Sequence, residues 1–119
     1  MRDLKRMWQD YIKISICLLY IMSSERFRHI KFQRSSRRDK KYMAIIEDIT
    51  TKRRQKVHFG SRQPLMEHYR DDTGLNLYRS LNHLDPKRRK AYLARHAKTM
   101  TKKYSPSWYS AKFLWNAQI

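Results

Sequence analysis

The chain has little of what staples, bends or neutralises a protein. It holds one cysteine, Cys17, in 119 residues, which excludes an internal disulfide and a cysteine-built zinc cage and fits a reducing compartment. Its two glycines, Gly60 and Gly74, cannot form a glycine-rich phosphate loop. With only three prolines beside them, the chain is not a low-complexity linker either. No apolar run is long enough to cross a bilayer. The longest, YIKISICLLYIM at residues 11–22, is interrupted by Lys13 and falls short of the roughly 20 residues a span needs. No small-residue cleavage site follows it, so it does not read as a secretory signal. Acidic residues are scarce as well.

Ten Asp and Glu stand against 28 Lys and Arg, a formal net charge of +18. Such a surplus suits an acidic partner: nucleic acid, an anionic membrane face, or a protein with acidic patches. It bears on association and not on fold. A structureless basic tail is excluded by the rings, because 13% of the residues are aromatic, more than a disordered chain carries. At this length one small domain with a modest core is expected.

Composition divides the chain into three. Residues 1–24 are mostly apolar without a clean period: Ile12, Ile14 and Ile16 alternate as in a strand, while Leu4, Trp8, Tyr11 and Leu18 fit a helix. An added strand or core helix, a segment that docks on a membrane or a partner, and a true start at Met22 all remain open. Residues 25–40 read as an extended basic arm, in which Phe27, Ile30 and Phe32 interleave with cations. Its candidate partner contacts are Arg26, Arg28, Lys31, Arg34, Arg37, Arg38 and Lys40, whose stems can lie over a neighbour while their heads meet acidic groups.

Residues 41–119 carry the signals of a small α+β domain, a β-hairpin packed on two or three short helices. KKYMAIIEDI (residues 40–49) and KVHFG (residues 56–60) are rich in strand formers and joined by a polar connector. Pro64 can open a short helix through Leu65, Met66 and Tyr69, broken by the turn signal at residues 72–74. A second short element follows through Leu75, Tyr78 and Leu81. Asp85-Pro86 is the clearest helix start, with Asp as N-cap and Pro at the first helical position; it predicts a helix over residues 86–100. Ser105-Pro106 repeats that chemistry and opens a last helix, apolar nearly all round. That helix buries either in its own domain or in a neighbour's, and the domain's own need for a core favours the first.

Catalytic patterns are weak. His83, Asp85 and His96 could bind a metal or serve as base and orienter, but Asp85 already has work as a cap. No paired-carboxylate or serine-nucleophile pattern is present, so no enzyme, cofactor, metal or small-molecule substrate is expected. Nucleic acid is supported by charge alone, since the rings fall at helix-core spacing and not between Arg and Lys along a strand.

Six short motifs occur in order: K-Y-x-A at residues 41–44, V-x-F-G at 57–60, Y-R-D at 69–71, H-x-D at 83–85, R-R-x-x-Y-x-x-R-H at 88–96 and S-P-x-x-Y-S-x-x-x-L-W at 105–115. Together they resemble a small-protein family of nucleocytoplasmic large DNA viruses, of the chlorella-virus and mimivirus kind, some of whose members are minor capsid proteins. The resemblance covers the last two-thirds of the chain and leaves residues 1–40 outside. It implies a non-catalytic cement protein on the inner face of an icosahedral capsid, assembled in the host cytoplasm. The implied partners are the major capsid protein, other minor capsid proteins and the inner viral membrane. It implies framework roles for Gly60 as a turn, Asp85 and Ser105 as caps, and Arg88, Tyr92, Arg95, His96 and Trp115 as packing positions. The rival expectation is a basic virion protein that binds or condenses the DNA genome, with affinity falling steeply with salt.

Overall fold

The structure is a computed structural model that describes residues 26–62 and 66–119. The apolar segment at residues 1–24 and the start of the expected helix at Pro64 and Leu65 lie outside the described residues. Three antiparallel strands, β1 (Phe27–Arg34), β2 (Lys40–Asp48) and β3 (Arg54–Ser61), form one sheet in the order β1-β2-β3. Two helices follow, α1 (Pro86–Arg95) and α2 (Pro106–Leu114), with one 3₁₀ turn at Arg79–Leu81 between the sheet and α1. The fold is the small α+β domain expected from the sequence.

The β2–β3 hairpin stands where its strand formers placed it. Asp48 closes its loop by accepting the backbone N–H groups of Thr50 and Thr51 at 2.9 and 3.1 Å, an Asx-type turn that leaves Lys52 at φ 62°. The basic stretch is extended, as expected, but it is no free arm: residues 27–34 pair with β2 along its length. A bulge between His29 and Lys31 inserts Ile30 as an extra residue. Arg28 and Lys31 thereby share one face of the sheet, while His29 and Phe32 share the other.

That second face carries the core. Tyr42, Ala44 and Ile46 of β2 and Phe59 of β3 are buried against Trp108, Tyr109 and Leu114. Phe59 stacks on Tyr109 with centroids 5.3 Å apart, and Phe32 meets Phe59, Tyr109 and Phe113 edge-on. The aromatic tail thus fills the domain's own core, as rings of ~150–250 Å² must in so small a protein. Gly60 lets α2 approach. It sits at φ +79°, and a Cβ there would lie 2.9 Å from Leu114 Cδ1.

Caps explain both helix starts. Asp85 accepts the N–H groups of Lys87 and Arg88, and Ser105 Oγ accepts that of Trp108 at 3.2 Å. The first helix is shorter than the residues 86–100 expected of it. After His96 the hydroxyls of Thr99 and Thr101 donate to the carbonyls of His96 and Lys98, both at 3.2 Å. Such local bonds compete with a continuing helix. The expected helix beginning at Pro64 is absent over the described residues 66–72. Their backbone donors go elsewhere: His68 to Leu81, Arg70 to Leu114 and Asp72 to Phe113. A segment that spends its N–H groups on distant carbonyls cannot close helical turns.

Candidate functional site

Three groupings of polar side chains are brought together. The first is buried. Lys41 is 1% and His68 1% exposed, and Lys41 Nζ donates to the Met66 carbonyl and to His68 Nδ1, the latter at 3.1 Å. Since Lys only donates, Nδ1 is an acceptor. The proton of His68 therefore sits on Nε2, which donates to Asn82 Oδ1 at 2.6 Å; that oxygen also accepts the Asp71 N–H at 3.0 Å. Tyr42 donates its hydroxyl proton to Asp71 and accepts the Leu77 N–H.

Burial sets the protonation of this network. It lowers the Lys41 ammonium to about 8, partly opposed by the Asp71 charge. It lowers His68 to about 4, with the Lys41 charge acting in the same sense, and raises Tyr42 to about 12. The network pins the 66–84 segment to β2, and its donors and acceptors are spent on one another.

The second grouping is a cavity of about 320 Å³ between α1 and the end of the chain. Arg88, Tyr92, Arg95 and His96 line one wall; Ser61, Met66, Glu67 and Trp115 line the others. Arg88, Tyr92 and Arg95 of α1 and His96, its C-cap, share one side through their spacing of three and four. Five of the framework residues expected from the motifs thus meet here, Arg88, Tyr92, Arg95, His96 and Trp115. Tyr92 and Trp115 stack in parallel, 4.1 Å apart at 2°, and His96 leans on Tyr92 at 4.2 Å. Arg89 locks the wall by donating to the carbonyls of Trp115 and Asn116 at 3.0 and 2.7 Å.

The third is the sheet face opposite the core. Cross-strand pairing sets Arg28 and Arg54 on either side of Glu47, and Lys31 and Lys56 on either side of Ile45. All four cations are exposed. With strands ~4.8 Å apart, Lys31 and Lys56 stand ~10 Å from each other across the sheet. Of the seven contacts expected in residues 25–40, Arg26, Arg28 and Arg37 pair with Asp48, Glu47 and Asp39. Lys31, Arg34, Arg38 and Lys40 have no ion pair among the described residues. Arg54 and Lys56 were not among the expected contacts, although their alternation in β3 was the signal that places them beside Arg28 and Lys31.

His83 and His96 do not converge with Asp85 on a shared centre. The Asp85 carboxylate faces the start of α1, while His83 Nδ1 accepts the Asp85 N–H at 2.9 Å. Among the described residues no group of three His, Cys, Asp or Glu is placed to hold a metal ion, and no helix is long and apolar enough to cross a membrane. Comparison of the chain with protein-family models, curated proteins and solved structures found no match.

The acidic residues complete that geometry. Asp39, Glu47, Asp48, Glu67 and Asp72 each pair with an arginine of this chain. Asp71 is taken by Tyr42 and Thr73, and Asp85 by the helix start. Every acid among the described residues is engaged internally. The surplus cations are left facing outward.

Proposed function

We propose that this protein is a structural, non-enzymatic component of a virion. In this reading it is a minor capsid protein that cements capsomers together on the inner side of a large icosahedral double-stranded DNA virus shell. The observation that supports it most is the division of labour between charges. The acids among the described residues are engaged within the chain, so the sheet face presents Lys31, Lys56 and their neighbours to whatever acidic surface lies opposite. The aromatic tail fills the domain's own core and leaves association to charge. The ordered motifs of residues 41–115 point the same way. The partners are acidic faces of the major capsid protein and of other minor proteins, with lipid phosphates of an inner membrane within reach.

Fractionation of purified virions tests this. Shells are opened, digested with nuclease and washed in rising salt, and the chain is quantified at each step. Retention on the shell after the DNA is gone is the expected result. Release with the DNA, or at moderate salt, would replace cement with genome binding. Absence from the virion would overturn both.

A further inference from the structure

The cavity beside α1 has a use of its own. From the geometry we infer that it is a socket for a carboxylate side chain of a partner protein. The Tyr92–Trp115 stack and the Arg89 clamp on the Trp115 and Asn116 carbonyls both tie α1 to the chain end that forms the cavity's far wall, so a ligand meets a formed site and does not have to order it. Its volume of about 320 Å³ lies at the small end of ligand pockets and suits one or two side chains, not a length of nucleic-acid backbone with its sugars. Arg88 and Arg95 lie seven residues apart on α1, ~10 Å along its axis, and bracket the opening with His96 beside them.

The site already shows which anion it accepts. Glu67 lines the cavity and approaches Arg88, but only to 3.7 Å, and both side chains are about half exposed, at 52% and 46%. That distance is an ion pair without a hydrogen bond. Arg88 therefore keeps its donors free while holding a carboxylate loosely, and Arg95 has no ion-pair partner among the described residues. A carboxylate brought by another chain can meet both guanidiniums in the bidentate geometry that Glu67 does not achieve, and Glu67 is displaced outward to solvent. The stacked rings of Tyr92 and Trp115 supply the cavity's apolar wall. Arg, Tyr and Trp around a small cavity are also the residue types that dominate protein–protein hot spots.

The inference rests on the cavity and not on where the protein assembles, so its failure would leave the cement reading standing. The test uses the full chain titrated with a capped tetra-glutamate peptide, followed by NMR of the His96 and Trp115 rings, with capped tetra-glutamine as control. A saturable shift is expected with the first peptide and none with the second. Arg95→Gln weakens binding by about tenfold, whereas the sheet-face pair Lys31→Gln/Lys56→Gln leaves it within about twofold. Glu67→Gln, which removes the resident competitor, tightens it. Three results would overturn the proposal: equal weakening by the sheet-face pair, no change in Glu67→Gln, or inorganic phosphate giving the same shift at the same concentration.

Discussion

At the scale of single residues, the two most telling positions sit next to each other across the sheet. Gly60 faces Lys41, and its missing side chain is what lets Leu114 close over the sheet. Gly60→Ala adds a methyl 2.9 Å from Leu114 Cδ1 at φ +79°. Backbone strain at a positive φ and the displaced leucine both act against folding, and together cost roughly 2–3 kcal/mol. Urea denaturation will read that loss directly. Lys41 and His68 make stability depend on pH in a defined sense. His68 titrates near 6.5 when unfolded and about 4 when folded, so the unfolded chain binds more protons between those values. Stability is then highest above pH 6.5 and falls as pH drops towards 4. Lys41 does the same between about 8 and its ordinary 10.5, so stability rises again on the alkaline side, by at most roughly 3 kcal/mol. Tyr42 turns it down above pH 10, where the folded chain keeps a proton that the unfolded chain releases. Denaturation midpoints from pH 5 to pH 9.5 should climb at both ends of the range. Lys41→Met should flatten the climb above pH 8 and, by removing a charge that helps hold His68 down, shrink the acid limb without abolishing it, since burial is the larger cause there.

Among elements, those with local signatures were legible and those defined by distant partners were not. Asp85-Pro86 and Ser105-Pro106 marked both helix starts because capping is settled within four residues of chain. The β2–β3 hairpin was visible for the same reason. β1 was hidden by its bulge: with Ile30 inserted, Arg28 and Lys31 are three apart yet share a face, so no alternation runs through residues 27–34. The segment at residues 66–72 had the apolar spacing of a helix, but Leu81, Phe113 and Leu114 claim its N–H groups, and none of them is near in sequence. The candidate site shows the same divide. Arg88, Tyr92, Arg95 and the C-cap His96 fall on one side by spacing alone, whereas only the fold brings Trp115, Ser61 and Glu67 to them. The bulge makes a sharp prediction. Deleting Ile30 restores plain alternation with every other β1 side chain on its present face, and the variant should fold with a melting temperature a few degrees lower. Deleting Phe32 removes a core ring and turns Gln33 inward, and should leave no cooperative unfolding transition in circular dichroism.

For the whole molecule, the question is which electrostatic effect governs the free protein. Six ion pairs join the described residues, but each has an exposed cation, and such pairs contribute about 0–1 kcal/mol apiece. Against them stands the mutual repulsion of a chain with a formal charge of +18, which acts at longer range and is screened once the Debye length falls below the spacing of surface charges. That length is ~30 Å at 0.01 M salt and ~3 Å at 1 M. Because the acids among the described residues already have partners within the chain, the surplus cations find few carboxylates of their own to meet, and repulsion should win. Sodium chloride raised from 0.01 M to 0.5 M is therefore expected to raise the melting temperature by several degrees. A fall would mean that the ion pairs outweigh the repulsion and that the outward cations are no strain on the free domain. A rise ties stability to assembly: an acidic surface does what salt does, and with fixed geometry. Docking would then relieve a cost that the isolated chain bears, so the domain would be most stable in its place against a partner.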